Sequence, residues 1–167
     1  MSGWNDYQKK LVQRVVDDFQ YQIDHESIED YRSARPYPLV PRRDTNKYWQ
    51  DCTSNIKLVV CSWNPIPTFD GTPKGYGDTR SFWQGPRVYH VGGGPAQWQL
   101  LDILLYKQHD GPFRGGSDEH ATVIIGKRNG VWKVCSHGGN SGPQLRDFNY
   151  RSDLAAVIRF PIPLKAG

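Results

Sequence analysis

The sequence predicts an α+β protein in which a helix carrying a thiol packs on an antiparallel β-sheet. Three observations lead there: an amphipathic pattern over residues 4–23, a second helical pattern starting at residue 51 or 52, and a strand-rich C-terminal half with an Asn-Gly turn. The 167 residues suit a single domain spanning 1–167, read as an N-terminal helical segment over 1–35 and a core over 36–167.

In the first helix, Trp4, Tyr7, Leu11, Val15, Phe19 and Ile23 recur at steps of three and four, and Val12 and Val16 widen the stripe. Ser2 or Asn5 supplies its N-cap. Residues 24–35 are polar and charged, a surface connection or a second short helix. The run Arg35-Pro36-Tyr37-Pro38-Leu39-Val40-Pro41 is extended, because each proline drives its predecessor out of the helical region. The second helix opens at Asp51 or Cys52, keeps Cys52, Ile56, Val59, Val60 and Trp63 on one side, and stops at Asn64-Pro65. Residues 64–97 read as a long Gly- and Pro-rich loop whose aromatics, among them Phe69, Tyr76, Phe82, Trp83 and Tyr89, give it an ordered surface. Strands follow at 100–106, 121–126, 131–136 and 154–161, with no internal repeat or low-complexity tract.

Composition excludes several classes. At 37% hydrophobic and 13% aromatic residues the chain is not disordered, and no apolar run approaches the roughly 20 residues of a membrane span. No basic leader with an apolar stretch precedes a cleavage site, so no secretory signal is expected. The net charge of +4 suits a polyanionic partner, but the basic residues are dispersed and form no nucleic-acid motif. Three cysteines, Cys52, Cys61 and Cys135, without a C-x-x-C pair argue against a disulfide framework or zinc ribbon and leave a thiol for chemistry.

The Asn129-Gly130 hairpin permits a register argument. With a two-residue turn, Arg128 faces Val131, His137 lies opposite Thr122, and His120 is the diagonal neighbour of His137. With a four-residue loop over 127–130, the two histidines are directly opposite. Either register puts both imidazoles on one face; only an odd-length loop would separate them. The other face would then carry Ala121, Val123, Ile125, Trp132 and Val134 as core. Two adjacent imidazoles suit a general base and the group that orients it; the competing reading is a pair of exposed hairpin histidines with no role. Cys52, at a helix N-terminus where the dipole and unpaired N–H groups favour a thiolate, is the candidate nucleophile. Cys61 reads as a packing residue, and Cys135 is a lesser candidate. Asp51 reads as a helix cap or a partner for a base, and Asp102 and Asp118 as structural. Metal binding by Cys52, His120 and His137 is the alternative, but no close-spaced ligand pair supports it, and no metal or cofactor is expected.

The order Asp51-Cys52-Thr53-Ser54, Asp102-Ile103-Leu104-Leu105-Tyr106, His120-Ala121-Thr122-Val123-Ile124-Ile125-Gly126 and Val134-Cys135-Ser136-His137-Gly138 resembles the NlpC/P60 family of papain-like cysteine peptidases, which hydrolyse peptidoglycan. Phage-encoded lysins and tail-associated hydrolases are the most similar, through the Pro73-Lys74-Gly75-Tyr76-Gly77-Asp78-Thr79 loop and the Ser136-His137-Gly138…Gly142-Pro143 stretch. The resemblance covers residues 37–163; Ser54 and Leu101 stand where that family has glycine. It implies a papain-like NlpC/P60 fold with Cys52 as nucleophile, His120 as base and His137 orienting it. It also implies a stem-peptide amide, commonly the D-Glu–diaminopimelate link, as substrate. An upstream tyrosine role falls to Tyr37 or Tyr48, and Tyr76 and Trp83 are candidates for the groove wall. The expected partner is bacterial peptidoglycan, with no nucleic acid and no membrane insertion, for a monomeric phage product acting at the host wall or cytoplasmic until released. Two other readings remain: a non-catalytic wall-binding or interaction module of this fold, and a papain-like amidase or acyltransferase on another substrate.

Overall fold

The structure, a computed structural model, describes residues 3–25, 29–31, 35–37, 39, 48–138 and 142–167, with side chains described outside 29–31 and 48–50. Helix α1 (Asp6–Asp24) begins where Asn5 and Gln8 form a reciprocal capping box, so Asn5 is the N-cap among the two residues expected. Its buried stripe of Leu11, Val12, Val15 and Phe19 is the one the periodicity marks. Short strands β1 (Glu29–Tyr31) and β2 (Tyr48–Gln50) pair in parallel. Most of the proline-rich run, including Pro38, Val40 and Pro41, lies outside the described residues.

Helix α2 (Cys52–Lys57) is capped by Asp51 through a second reciprocal box with Ser54 and continues as a π-helical segment, Leu58–Trp63, ending before Asn64. The widened turn keeps Leu58, Val59, Val60 and Cys61 all buried. The 64–97 region is more structured than a loop. It holds α3 (Thr79–Gln84), capped by Asp78, strand β3 (Tyr89–His90) and a 3₁₀ turn at Pro95–Gln97. Asp-x-x-Ser at 78–81 was the signal for α3: Asp78 accepts from the Ser81 N–H and Ser81 Oγ accepts from the Asp78 N–H.

A six-stranded, fully antiparallel sheet follows, in the order β3–β8–β4–β5–β6–β7. The remaining strands are β4 (Ile103–Lys107), β5 (Glu119–Arg128), β6 (Val131–His137), β7 (Pro143–Asp147) and β8 (Leu154–Arg159). Asn129 and Gly130 both adopt positive φ, 52° and 77°, the signature of a two-residue hairpin turn. One face of the sheet, with Ile103, Leu105, Ala121, Val123 and Cys135, packs against α1, α2 and the π-helical segment. The other carries a smaller cluster around Leu104, Tyr106, Ile124, Val134 and Trp98.

The hairpin register corrects the face assignment made from sequence. Arg128 pairs with Val131, as the two-residue turn requires, but Ile124 pairs with Val134 while Gly126 pairs with Lys133. Ile125 is therefore one extra residue in β5, a β-bulge that shifts everything beyond it by one. Val123 pairs with Cys135, and strand alternation then sets Ser136 on the face of His120 and His137 on the other. Trp132 and Val134, expected beside Val123, belong to the opposite cluster for the same reason.

Helix α1 is fixed to α2 by a buried amide pair. Gln22 Nε2 donates to Asn55 Oδ1 at 2.8 Å and Asn55 Nδ2 to Gln22 Oε1 at 3.0 Å. Asn64 Nδ2 donates to Asp18 at 2.9 Å, tying the end of the π-helical segment to the same helix. No helix among the described residues is long and apolar enough to cross a membrane.

Candidate active site

Cys52 is the first residue of α2, buried at 7% exposure on the side that meets the sheet. The backbone N–H groups of Ala121 and Thr53 favour its thiolate, and Ala121 is the neighbour of His120 in β5. The thiol is nevertheless not activated. Burial pushes it up to about 12, the Asp51 carboxylate adds to the shift, and the two N–H groups and the Arg35 guanidinium oppose it without prevailing. This reverses the expectation of a thiolate at the helix N-terminus. The physical reason is burial: desolvation of the sulfur outweighs the N–H groups at the helix start, and the N-cap carboxylate adds to it.

Asp51 is itself held. Arg35 Nη2 reaches both carboxylate oxygens, at 3.1 and 2.9 Å, and also donates to the Gly77 carbonyl at 2.8 Å. That guanidinium thus links the start of α2 to the loop over residues 69–86. The loop closes around a buried ion pair, Lys57 to Asp70 at 3.0 Å, with both side chains fully inaccessible. Lys57 also donates to Thr72 Oγ1 at 2.8 Å and to the Pro73 and Tyr76 carbonyls at 3.1 and 2.8 Å. Gly77 lies over this pair with φ of 116°, and a Cβ there would fall 2.5 Å from Asp70 Oδ2.

Between this loop, α2, α3 and residues 115–117 runs a groove of about 1040 Å³, lined by Cys52 together with Arg35, Tyr76, Arg80 and Gly116. Tyr76 is 44% exposed at its wall. Trp83 does not line it: its ring stacks on His90 at 3.5 Å and tilts against Phe113, so it packs rather than binds. Tyr37 is likewise a core residue, 2% exposed, its hydroxyl buried and its phenol pKa raised by that burial. The Tyr48 side chain lies outside the described residues.

His120 is 7% exposed. Burial holds its imidazole down at about 4, helped by the positive charge of Arg151 and by His137, while Asp153 and Asp51 pull weakly the other way. Its Nε2 lies 2.9 Å from Ser136 Oγ, and Ser136 Oγ lies 3.0 Å from the Tyr150 hydroxyl. The side chain on the next strand that meets His120 at Nε2 is thus Ser136. His137 is buried at 2% on the opposite face. Cys52, His120 and His137 do not form a cluster of ligand atoms within 4.8 Å of one another; among the described residues only His109, Asp118 and Glu119 do. The bulge at Ile125 parts the two histidines expected side by side: His120 shares the face of Tyr106 and Ser136, and His137 that of Ala121, Val123 and Cys135.

The chain matches no family model and no curated protein.

The His109 cluster has its own chemistry. Glu119 accepts from the Thr79 hydroxyl, from the N–H groups of Arg114 and Gly115 at 2.8 and 2.7 Å, and from His109 Nε2 at 2.6 Å. Burial alone would raise its pKa; these donors outweigh it and hold the carboxyl at about 2. His109 Nδ1 lies 2.7 Å from the Asp110 carbonyl, so both ring nitrogens donate, and these two bonds raise its pKa. Four donors occupy the carboxylate, which leaves little room for a cation. Glu119 is the anchor that holds residues 109–118 beside α3, and with them the far wall of the groove. Sequence reading passed over it because one Glu before a strand carries no motif.

Proposed function

We propose that the chain is a cysteine endopeptidase with a papain-like, NlpC/P60-type fold that hydrolyses an amide bond in peptidoglycan stem peptides, as a phage lysin or tail-associated wall hydrolase acting as a monomer. The observation that carries this reading is the position of Cys52. It opens a capped helix, it is backed onto the strand that bears His120, and it lines an open groove.

The residues divide the work as follows. His120 takes the thiol proton as the sulfur attacks the carbonyl carbon, then gives it to the leaving amine. Water repeats the sequence on the thioester and releases the acid. The first N–H groups of α2 lack intrahelical partners, and in this reading that of Cys52 receives the developing oxyanion. With the thiol at about 12 and the imidazole at about 4, the resting pair is neutral, so proton transfer accompanies attack rather than preceding it.

The test is digestion of purified sacculi followed by mass spectrometry of the released muropeptides. The proposal expects new amine and carboxyl ends from the native chain and none from Cys52→Ala or His120→Ala. Undiminished release by Cys52→Ala would overturn it. A second reading, a non-catalytic wall-binding module, draws support from the same neutral, buried thiol and imidazole. It expects sacculi to retain the protein with no product formed.

A further inference from the structure

The groups around His120 favour one ring tautomer. Nε2 faces Ser136 Oγ at 2.9 Å, and among the described residues no hydrogen bond involves Nδ1. A neutral imidazole carries one proton, and a nitrogen with a hydroxyl acceptor beside it is where that proton is best held. Ser136 has one hydrogen and two lone pairs for two neighbours, His120 and the Tyr150 hydroxyl at 3.0 Å. If its oxygen accepts from Nε2–H, its hydrogen goes to the Tyr150 oxygen, and the Tyr150 hydrogen goes to solvent. Tyr150, 39% exposed, is the only one of the three with substantial access to water.

The ring is also confined. A Cβ on Gly138 would lie 3.3 Å from His120 Cε1, so any side chain there would crowd that edge of the ring. Tyr106, opposite His120 in β4, stands 6.1 Å away, with its hydroxyl fixed by the Phe148 carbonyl at 2.7 Å. Tyr150 meets Tyr106 edge to face at 6.0 Å, so the phenol that ends the chain is held by the same aromatic.

We propose that Ser136 and Tyr150 are the positioning residues of His120, fixing the Nε2–H tautomer and leaving Nδ1 as the basic nitrogen. This deepens the hydrolase reading and rests on it for its catalytic consequence. Nδ1 accepts the thiol proton, Nε2 keeps its own proton on Ser136 throughout, and Nδ1 returns the first proton to the leaving amine. No net proton passes along the serine–tyrosine chain.

The experiment is nitrogen-15 NMR of the full chain labelled at histidine. The His120 signal is identified among the five histidines by its loss in His120→Gln. The native protein is expected to show Nε2 protonated and Nδ1 bare at neutral pH. Ser136→Ala should give a mixture of tautomers, Ser136→Thr should restore the native pattern, and Tyr150→Phe should weaken it without unfolding the sheet. A native Nδ1–H tautomer, or an unchanged pattern in Ser136→Ala, overturns the proposal. On sacculi, Ser136→Ala should lower kcat roughly tenfold with KM unchanged, the loss of about one hydrogen bond from the transition state. The spectra do not depend on hydrolysis. Native tautomer control without product release therefore refutes the hydrolase and leaves the positioning role standing, whereas product release with the wrong tautomer does the reverse.

Discussion

Lys57→Met probes a fully buried charge and, through it, the wall of the groove. The ammonium has no accessible surface and is enclosed by Asp70 at 3.0 Å, Thr72 Oγ1 at 2.8 Å and the Pro73 and Tyr76 carbonyls at 3.1 and 2.8 Å. Methionine fills a similar volume but donates nothing. Asp70 keeps the hydroxyls of Thr72 and Ser81, at 2.7 and 2.8 Å, yet remains an uncompensated anion. Removing one partner of such a pair costs about 3–5 kcal/mol. At about 2–4 °C per kcal/mol for a domain of this size, the melting temperature falls on the order of 10 °C. Urea titration followed by tryptophan fluorescence measures this as a lower midpoint at unchanged slope. Lys57→Met with Asp70→Leu removes both charges and should recover part of the loss, because the apolar pair no longer buries a lone carboxylate. A single-mutant loss below about 1 kcal/mol, the value of an exposed pair, would show that water reaches the site and that the loop is not organised by this interaction.

Other consequences follow from the titrating groups. With its thiol at about 12, Cys52 should react with iodoacetamide slowly at pH 7, where about one molecule in 10⁵ is thiolate, and faster without a plateau as pH rises toward 10. Peptide mapping reads this directly, and rapid labelling with a plateau near neutrality would reveal a thiolate–imidazolium pair instead. Glu119, lowered to about 2, contributes stability fully above the ordinary carboxylate range near 4.5 and loses it as pH falls through about 2. His109, raised by its bonds to Asp110 and Glu119, contributes below 6.5 and loses its part as pH rises through its folded value. Melting temperature against pH should therefore decline on both sides for the native chain. Glu119→Gln should lie below it at neutral pH and converge with it in acid. Parallel curves would remove Glu119 from its anchoring role.

Helix α1 and the β5–β6 hairpin were legible because burial writes the one as a period and turn chemistry marks the other. The stripe from Leu11 to Phe19 and the Asn129-Gly130 turn each have one physical solution, and both are found. Helix α3 was hidden because six residues are too few to show a period, although its Asp78–Ser81 capping box was readable. Cys52 was placed correctly at a helix start, but its ionisation was misread. Dipole arguments can be made from sequence alone, whereas the desolvation that outweighs them depends on what covers the sulfur.

The histidine pair failed for a more instructive reason. The turn fixes the register only as far as every residue of one strand has one partner on the other, and Ile125 breaks that condition. Its side chain is apolar and 7% exposed, so it satisfies the core whether or not it is paired, and nothing in its identity marks a bulge. Had the register of the turn persisted, His137 would stand opposite Thr122, on the face of His120. With the extra residue, Ser136 takes that face instead, at 2.9 Å from Nε2. Side-chain faces alternate with a period of two, so one unpaired residue exchanges an imidazole neighbour for a hydroxyl one. That exchange alters the chemistry: a second imidazole adds a group that can itself become charged, while serine offers a neutral oxygen that accepts one proton and hands on another. In a site where burial already keeps His120 neutral, a neutral orienting partner is the one that adds no further electrostatic cost.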